Sequence, residues 1–197
     1  GHGREIINDE IDTSRTVGWF TNLYPVMLKL KPGGDLAEAI KAVKEQLRLI
    51  PDKGLGYGVL KYINKEEKLS NKKCWDIIFN YLGQVDNIMS GKWLSGAAES
   101  NGASSSEDKT VKHLLEVNGA VQGGELVMNW GYSKLHYEKE TISEIVESYK
   151  STLQSLIDHC LDLHKTEGAV YTPSDYGLES DISLEELDNL LNKRINN

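Results

Sequence analysis

The stretch "IIFNYLGQVD" (residues 77–86) carries the decision about the fold. Ile77, Ile78 and Phe79 read as a buried strand. Asn80 and Tyr81 then set an amide beside a phenol, and Gly83 ends the run. In a regular strand these two neighbours face opposite sides of the sheet. Buried polar side chains are ordinarily satisfied by backbone or by water at the surface. Their other use is to offer a hydrogen bond to an oxyanion that develops during a reaction.

Around this strand the pattern alternates. "RTVGWFTNLYPVMLKL" (15–30), rich in aromatic and β-branched residues, reads as a strand with Pro25 at a bulge or edge. Asp35 and Glu38 form a D-x-x-E capping box, and Leu36, Ala39, Ile40, Val43 and Leu47 recur at helical spacing. A helix over about 36–49 follows, ended by Pro51. "PDKGLGYGVLKYI" (51–63) reads as a glycine-studded loop running into a strand. "VKHLLEVNGAV" and "ELVMNWGYS" flank "QGG" (122–124), a hairpin pattern. Thr141 and Glu144 form a second capping box. Ile142, Ile145, Val146, Tyr149, Leu153, Leu156, Ile157 and Cys160 then give an amphipathic helix to about 164. Residues 95–109, small and polar, predict a mobile loop. "YTPSDYGLESD" (171–181) reads as a linker. Ser183 and Glu186 cap a last helix striped by Leu184, Leu187, Leu190, Leu191 and Ile195. The fold class is α/β, a mixed β-sheet packed with helices.

Composition excludes several functions. The 197 residues suffice for one domain with a core, and 39% hydrophobic with 26% charged is a globular balance. The net charge of −8 argues against a nucleic-acid partner. No run approaches the roughly 20 apolar residues that span a bilayer, so no membrane partner is expected. The opening "GHGREIINDE" is polar. Cys74 and Cys160 are far apart in sequence, and a reducing, cytoplasmic setting with both as buried thiols is the simpler expectation.

The standard chemical motifs are absent. His159 and His164, five apart, do not share a helix face, and no H-E-x-x-H or C-x-x-C occurs, so no metal site is expected. "GLGYG" (54–58) lacks phosphate-loop spacing. It fits either a tight turn needing positive φ or a close approach of backbone to a ligand or another chain. There is no G-x-S-x-G elbow, and the serines at 104–106 fall in the mobile loop.

Four stretches act together: "GHGRE" (1–5), "RTVGWFTNLYPV" (15–26), "PDKGLGYGVLKY" (51–62) and "FNYLGQ" (79–84). In that order and spacing the chain resembles the epimerization domains of nonribosomal peptide synthetases, over essentially its whole length. "YTPSDY" (171–176) resembles their exit segment. The resemblance implies a chloramphenicol acetyltransferase-like fold of two lobes, with this sequence holding the second, C-terminal one over 1–170. Residues 171–197 would be an exit linker and a possible docking helix. It implies conversion of an L-aminoacyl or peptidyl thioester, on the phosphopantetheine arm of a peptidyl carrier protein, to the D form. No cofactor bound by the chain itself is implied. The family's His-His motif does not occur here, and Gly1 follows where the family has its proposed acid/base Glu. A fragment inactive alone is therefore expected.

By the same resemblance, Asn80 and Tyr81 match an Asn-Tyr pair implicated in the reaction. His2, Arg4 and Glu5 would support the segment bearing the absent Glu. Tyr57 would line the tunnel, while Arg15, Trp19 and Tyr24 would build the lobe. Lys61 stands where the family often has Arg. The expected partners are the first lobe, the carrier protein, and an acceptor docking segment on the next synthetase. That segment would meet Glu179, Asp181, Glu185, Glu186 and Asp188 with Leu187 and Leu190. Two other readings compete: a non-catalytic docking module, and a condensation-type acyltransferase lobe of the same fold.

Overall fold

The computed structural model describes residues 11–13, 15–18, 20–70, 75–86, 99–100, 102, 106, 112–166, 171–178 and 182–195. The mobile loop expected at 95–109 lies mostly outside these residues. The chain divides into two compact units, one of residues 71–145 and one combining 2–70 with 146–197.

The first unit is built on a three-stranded sheet in the order β1 (Ile77–Gln84), β2 (Leu115–Gln122), β3 (Glu125–Tyr132). β1 runs parallel to β2, and β2 antiparallel to β3. The expected hairpin is present. Gly123 and Gly124 take φ of 63° and 76°, both left-handed, which two-residue hairpin turns require. Asp86, just past β1, accepts from both turn N–H groups, at 2.7 Å from Gly123 and 3.2 Å from Gly124. His113 Nδ1 lies 2.7 Å from the Trp75 carbonyl and ties the starts of β1 and β2. Leu115 and Val117 on β2 are buried, as is Ile142. Ile77 and Phe79 are exposed, Phe79 to 56%, which corrects the buried-strand expectation. Among the described residues β1 is an edge strand, with a neighbouring strand on one side only.

The second unit is mostly helical. Helix α1 (Leu36–Arg48) starts as expected, with Asp35 Oδ1 accepting from the Glu38 N–H at 2.8 Å. Glu38 does not complete the box; its carboxylate lies 3.7 Å from Lys31. The strand expected at 15–30 does not form: the described part of this stretch is irregular. Pro25 lacks a donor, and both backbone groups of Lys29 are taken by one side-chain amide. Gln46 accepts from its N–H at 2.7 Å and donates to its carbonyl at 2.8 Å. A helix side chain thus occupies the place of a neighbouring strand.

Residues 51–63 also correct the sequence reading. They form a turn at Pro51–Gly54, then helix in α2 (Leu55–Gly58) and Val59–Ile63, followed by α3 (Glu67–Ser70). Asp52, Lys53 and Gly54 all sit in the left-handed region, with φ of 46°, 50° and 81°. Helix follows these three residues, where β-branched and aromatic residues suggested a strand.

Helix α4 (Lys139–Thr166) begins two residues before the expected Thr141 cap, so Thr141 lies in its first turn. Over 146–163 its half-buried stripe is Val146, Tyr149, Leu153, Leu156, His159 and Leu163. Cys160 falls beside that stripe and is exposed, against the expectation of a buried thiol. The final helix, α5 (Leu184–Ile195), has the expected reciprocal cap. The Ser183 N–H donates to Glu186 at 2.7 Å, and the Glu186 N–H to the Ser183 hydroxyl at 3.2 Å. No helix among the described residues is long and apolar enough to cross a membrane.

The described start of the segment read as a linker, residues 171–178, is anchored to α1. Thr172 is 1% exposed and Pro173 is buried. Asp175 pairs with Lys44 and, at 2.7 Å, with Arg48; it also accepts from the Thr172 N–H at 2.8 Å. Ser174 donates to Glu45 and accepts from Arg48 at 2.8 Å. The turn Pro173–Tyr176 is thereby fastened to the polar face of α1.

The Lys44 ammonium, followed by the Thr172 N–H and then Arg48, holds the Asp175 carboxyl well below the usual carboxylate range. A carboxyl depressed in the folded state stabilises above its unfolded pKa, about 3.9, and loses that contribution as pH falls through lower values. Asp175→Ala should cost about 2–3 kcal/mol at pH 7, for lost charge-assisted hydrogen bonds. The cost should shrink on acidification below about pH 4. Urea unfolding at pH 7 and pH 3 measures both; an equal cost at the two values would refute the ionised anchor.

Candidate functional site

β1 positions the two residues that the sequence singled out. Asn80 is half-buried and Tyr81 is 48% exposed, and they occupy opposite faces of the sheet, as expected. Tyr81 is in register with Gly119, and Gly119 with Met128. A Cβ on Gly119 would lie 2.5 Å from Met128 Sδ and 3.3 Å from Tyr81 Cδ2. The phenol ring therefore rests over a strand position with no side chain, beside a thioether. This face also carries Leu115, Val117 and Trp130.

The opposite face is polar at the same level. Asn80 is in register with Asn118, and Asn118 with Asn129. Register partners share a face, so three asparagines stand in line across three strands. The sequence reading did not single out Asn118 or Asn129. The hairpin could have paired these two: each stands four residues from the turn-closing pair Gln122 and Glu125. Nothing in the sequence links them to Asn80, because that pairing is parallel and crosses a long connection.

The remaining candidates belong to the second unit or lie outside the described residues. Tyr57 lies on α2, half-buried, and its hydroxyl accepts from Lys61 Nζ at 3.1 Å, one helical turn on. The same ammonium sits 5.6 Å from the Tyr57 ring centroid. Lys61 thus has a local role that helps to orient Tyr57. Tyr24 is half-buried against Gly54, and burial pushes its phenol pKa up. His2, Arg4 and Glu5 lie outside the described residues, as do Trp19, Glu179 and Asp181. Among the described residues no group of three or more His, Cys, Asp or Glu side chains comes together.

On α5, Glu185 and Glu186 are exposed, and Leu190 is 55% exposed. Leu187 is 5% exposed, so it anchors the helix within its own chain rather than facing outward. Hydrogen bonds from the Ser183 N–H and hydroxyl hold the Glu186 carboxyl below its ordinary pKa. The side chain of Asp188 lies outside the described residues.

A family profile described as the condensation domain matches residues 1–175. Bacitracin synthase 2 of Bacillus licheniformis is 42% identical over 193 residues, covering 98% of this chain and 7% of that protein. Surfactin synthase subunit 1 of Bacillus subtilis (strain 168) is 38% identical over 194 residues, 97% of this chain and 5% of that one. The chain therefore spans less than a tenth of these curated relatives. Among solved structures, the epimerization domain from the third module of tyrocidine synthetase B is 38% identical with a TM-score of 0.69. That match covers 82% of this chain and 37% of the solved one.

Proposed function

We propose, from the premise that the chain belongs to the condensation-domain family, that it is part of an epimerization domain of a nonribosomal peptide synthetase. One observation carries this reading: sequence and fold are both similar to a solved epimerization domain. In the reaction an aminoacyl or peptidyl group is held as a thioester on the phosphopantetheine arm of a carrier protein. A base removes the α-proton, and the electron pair moves into the carbonyl to give an enolate. A proton returned to the other face of the α-carbon gives the D residue and restores the carbonyl. The enolate oxygen needs a positioned donor, and Asn80, with a primary amide on a half-buried strand, can supply one. The base and acid would come from the rest of the domain, the carrier delivering the substrate. Glu185 and Glu186 of α5 could meet a basic segment of the next synthetase.

The test is α-hydrogen exchange. A carrier loaded with an L-aminoacyl thioester is incubated in heavy water with this chain, and separately with the chain extended upstream to the full length of the matched domain. The extended protein should wash deuterium into the α-position and form the D product; this chain alone should not. A second reading, condensation, is favoured by the family profile itself. It predicts peptide-bond formation from the extended protein with donor and acceptor carriers, and no loss of stereochemistry. That result would replace the epimerase reading.

A further inference from the structure

We infer that Asn80, Asn118 and Asn129 form one amide row, a subsite for a linear chain that carries secondary amides. The three are successive register partners, so their side chains share a face and repeat at the strand spacing of about 4.8 Å. Asn80 is half-buried at one end, while Asn118 and Asn129 are exposed. Among the described residues, none of the three side-chain amides makes a hydrogen bond.

The neighbouring rows on this face leave the asparagines accessible. On one side lie Ala120 and Val127, and on the other the half-buried Ile78 with Glu116 and Gly131. A Cβ on Gly131 would meet nothing nearer than Glu116 Cβ at 3.8 Å, so the space there is open. The row runs across the strands, not along them.

The chemistry selects the ligand. Each asparagine offers a carbonyl acceptor and an NH₂ donor, with no net charge. A hydrocarbon chain laid on the row would desolvate those groups without replacing their hydrogen bonds. An anion would find donors but no cation among the three. A neutral chain with its own C=O and N–H groups answers both halves of each amide. This deepens the function proposed above and rests on it: the amide-bearing arm of the thioester substrate would cross Asn129 and Asn118 to bring its carbonyl to Asn80.

The experiment is NMR on this chain, labelled with ¹⁵N, titrated with N-acetyl-β-alanine methylamide, which has two secondary amides. Its doubly N-methylated analogue, without N–H donors, is the control. The side-chain NH₂ signals of all three asparagines should move together with one affinity, and the control should bind more weakly. Asn118→Thr and Asn129→Thr should each weaken the probe about two- to tenfold, as loss of one neutral hydrogen-bonding partner implies. Unchanged backbone amide signals elsewhere would show these variants folded. Signals that stay still, that move equally with the control, or that are indifferent to the two substitutions overturn the inference. Exchange by the extended protein without a responsive row would sink the row and leave the epimerase reading standing. A responsive row without exchange would do the reverse.

Discussion

A Gly54→Val chain should unfold at clearly lower urea concentration, with about 2–5 kcal/mol lost. Two causes add. Gly54 has φ of 81°, where a β-branched residue is strained by roughly 1–2 kcal/mol. A Cβ there would also stand 2.1 Å from Tyr24 Cδ1 and 2.2 Å from Cγ, far closer than any van der Waals contact allows. Forcing excess volume into a packed contact costs about 1–3 kcal/mol more. The contacting atoms include Cγ, the root of the ring, so relief needs the whole side chain to shift. Gly56 is the control: no atom lies within 4 Å of a Cβ there, and it is in α2. Gly56→Ala should therefore be neutral or stabilising by up to about 1 kcal/mol. If Gly54→Val proves as stable as the parent, the Tyr24 contact is not formed in solution.

That contact shows what the sequence could and could not disclose. The glycines of "GLGYG" allowed a positive-φ turn or a close approach to a ligand or another chain; Gly54 makes the turn, but what it approaches is Tyr24 of its own chain. Which segment approaches it was not legible, since Tyr24 lies 30 residues away in a stretch that reads as strand. Strand propensity describes a side chain suited to a pleated surface; it does not supply the pairing partner. Residues 15–30 have the propensity, yet the Lys29 backbone found Gln46 instead. Helices fared better because capping and periodicity are local. Asp35 and Ser183 sit at the starts that their side chains mark.

The candidate site divides along the same line. That Asn80 and Tyr81 face apart follows from the strand period, and the hairpin turn fixes the pairing of Asn118 with Asn129. The parallel pairing of β1 with β2 brings Asn80 beside them, and it spans a connection no local rule describes. The anchor at Asp175 was hidden for another reason. Lys44 and Arg48 lie one turn apart on the polar face of α1, where charged residues usually meet only water. Only the fold shows that a turn far along the chain returns to them.

Because Asn80 and Tyr81 point to opposite sides, substituting them separately should locate the reacting carbonyl. In the protein extended to full domain length, Asn80→Leu should lower the rate of α-hydrogen exchange by about 10²–10³-fold. Removing one positioned donor to a developing oxyanion has that effect. The fall should be in kcat more than in KM, since the enolate charge exists only near the transition state. Tyr81→Phe removes only a hydroxyl from a ring that stays over Gly119, and we expect it to cost less. If instead Tyr81→Phe carries the large loss and Asn80→Leu does not, the enolate stands on the apolar face, beside Met128 and Trp130. The amide row would then be separated from the chemistry by the thickness of the sheet. Comparable losses in both, with KM unchanged, would mean that neither side chain acts alone on the oxygen and that β1 positions the substrate as a unit. Exchange rates of the two variants over a range of loaded-carrier concentrations, which separate kcat from KM, decide among these.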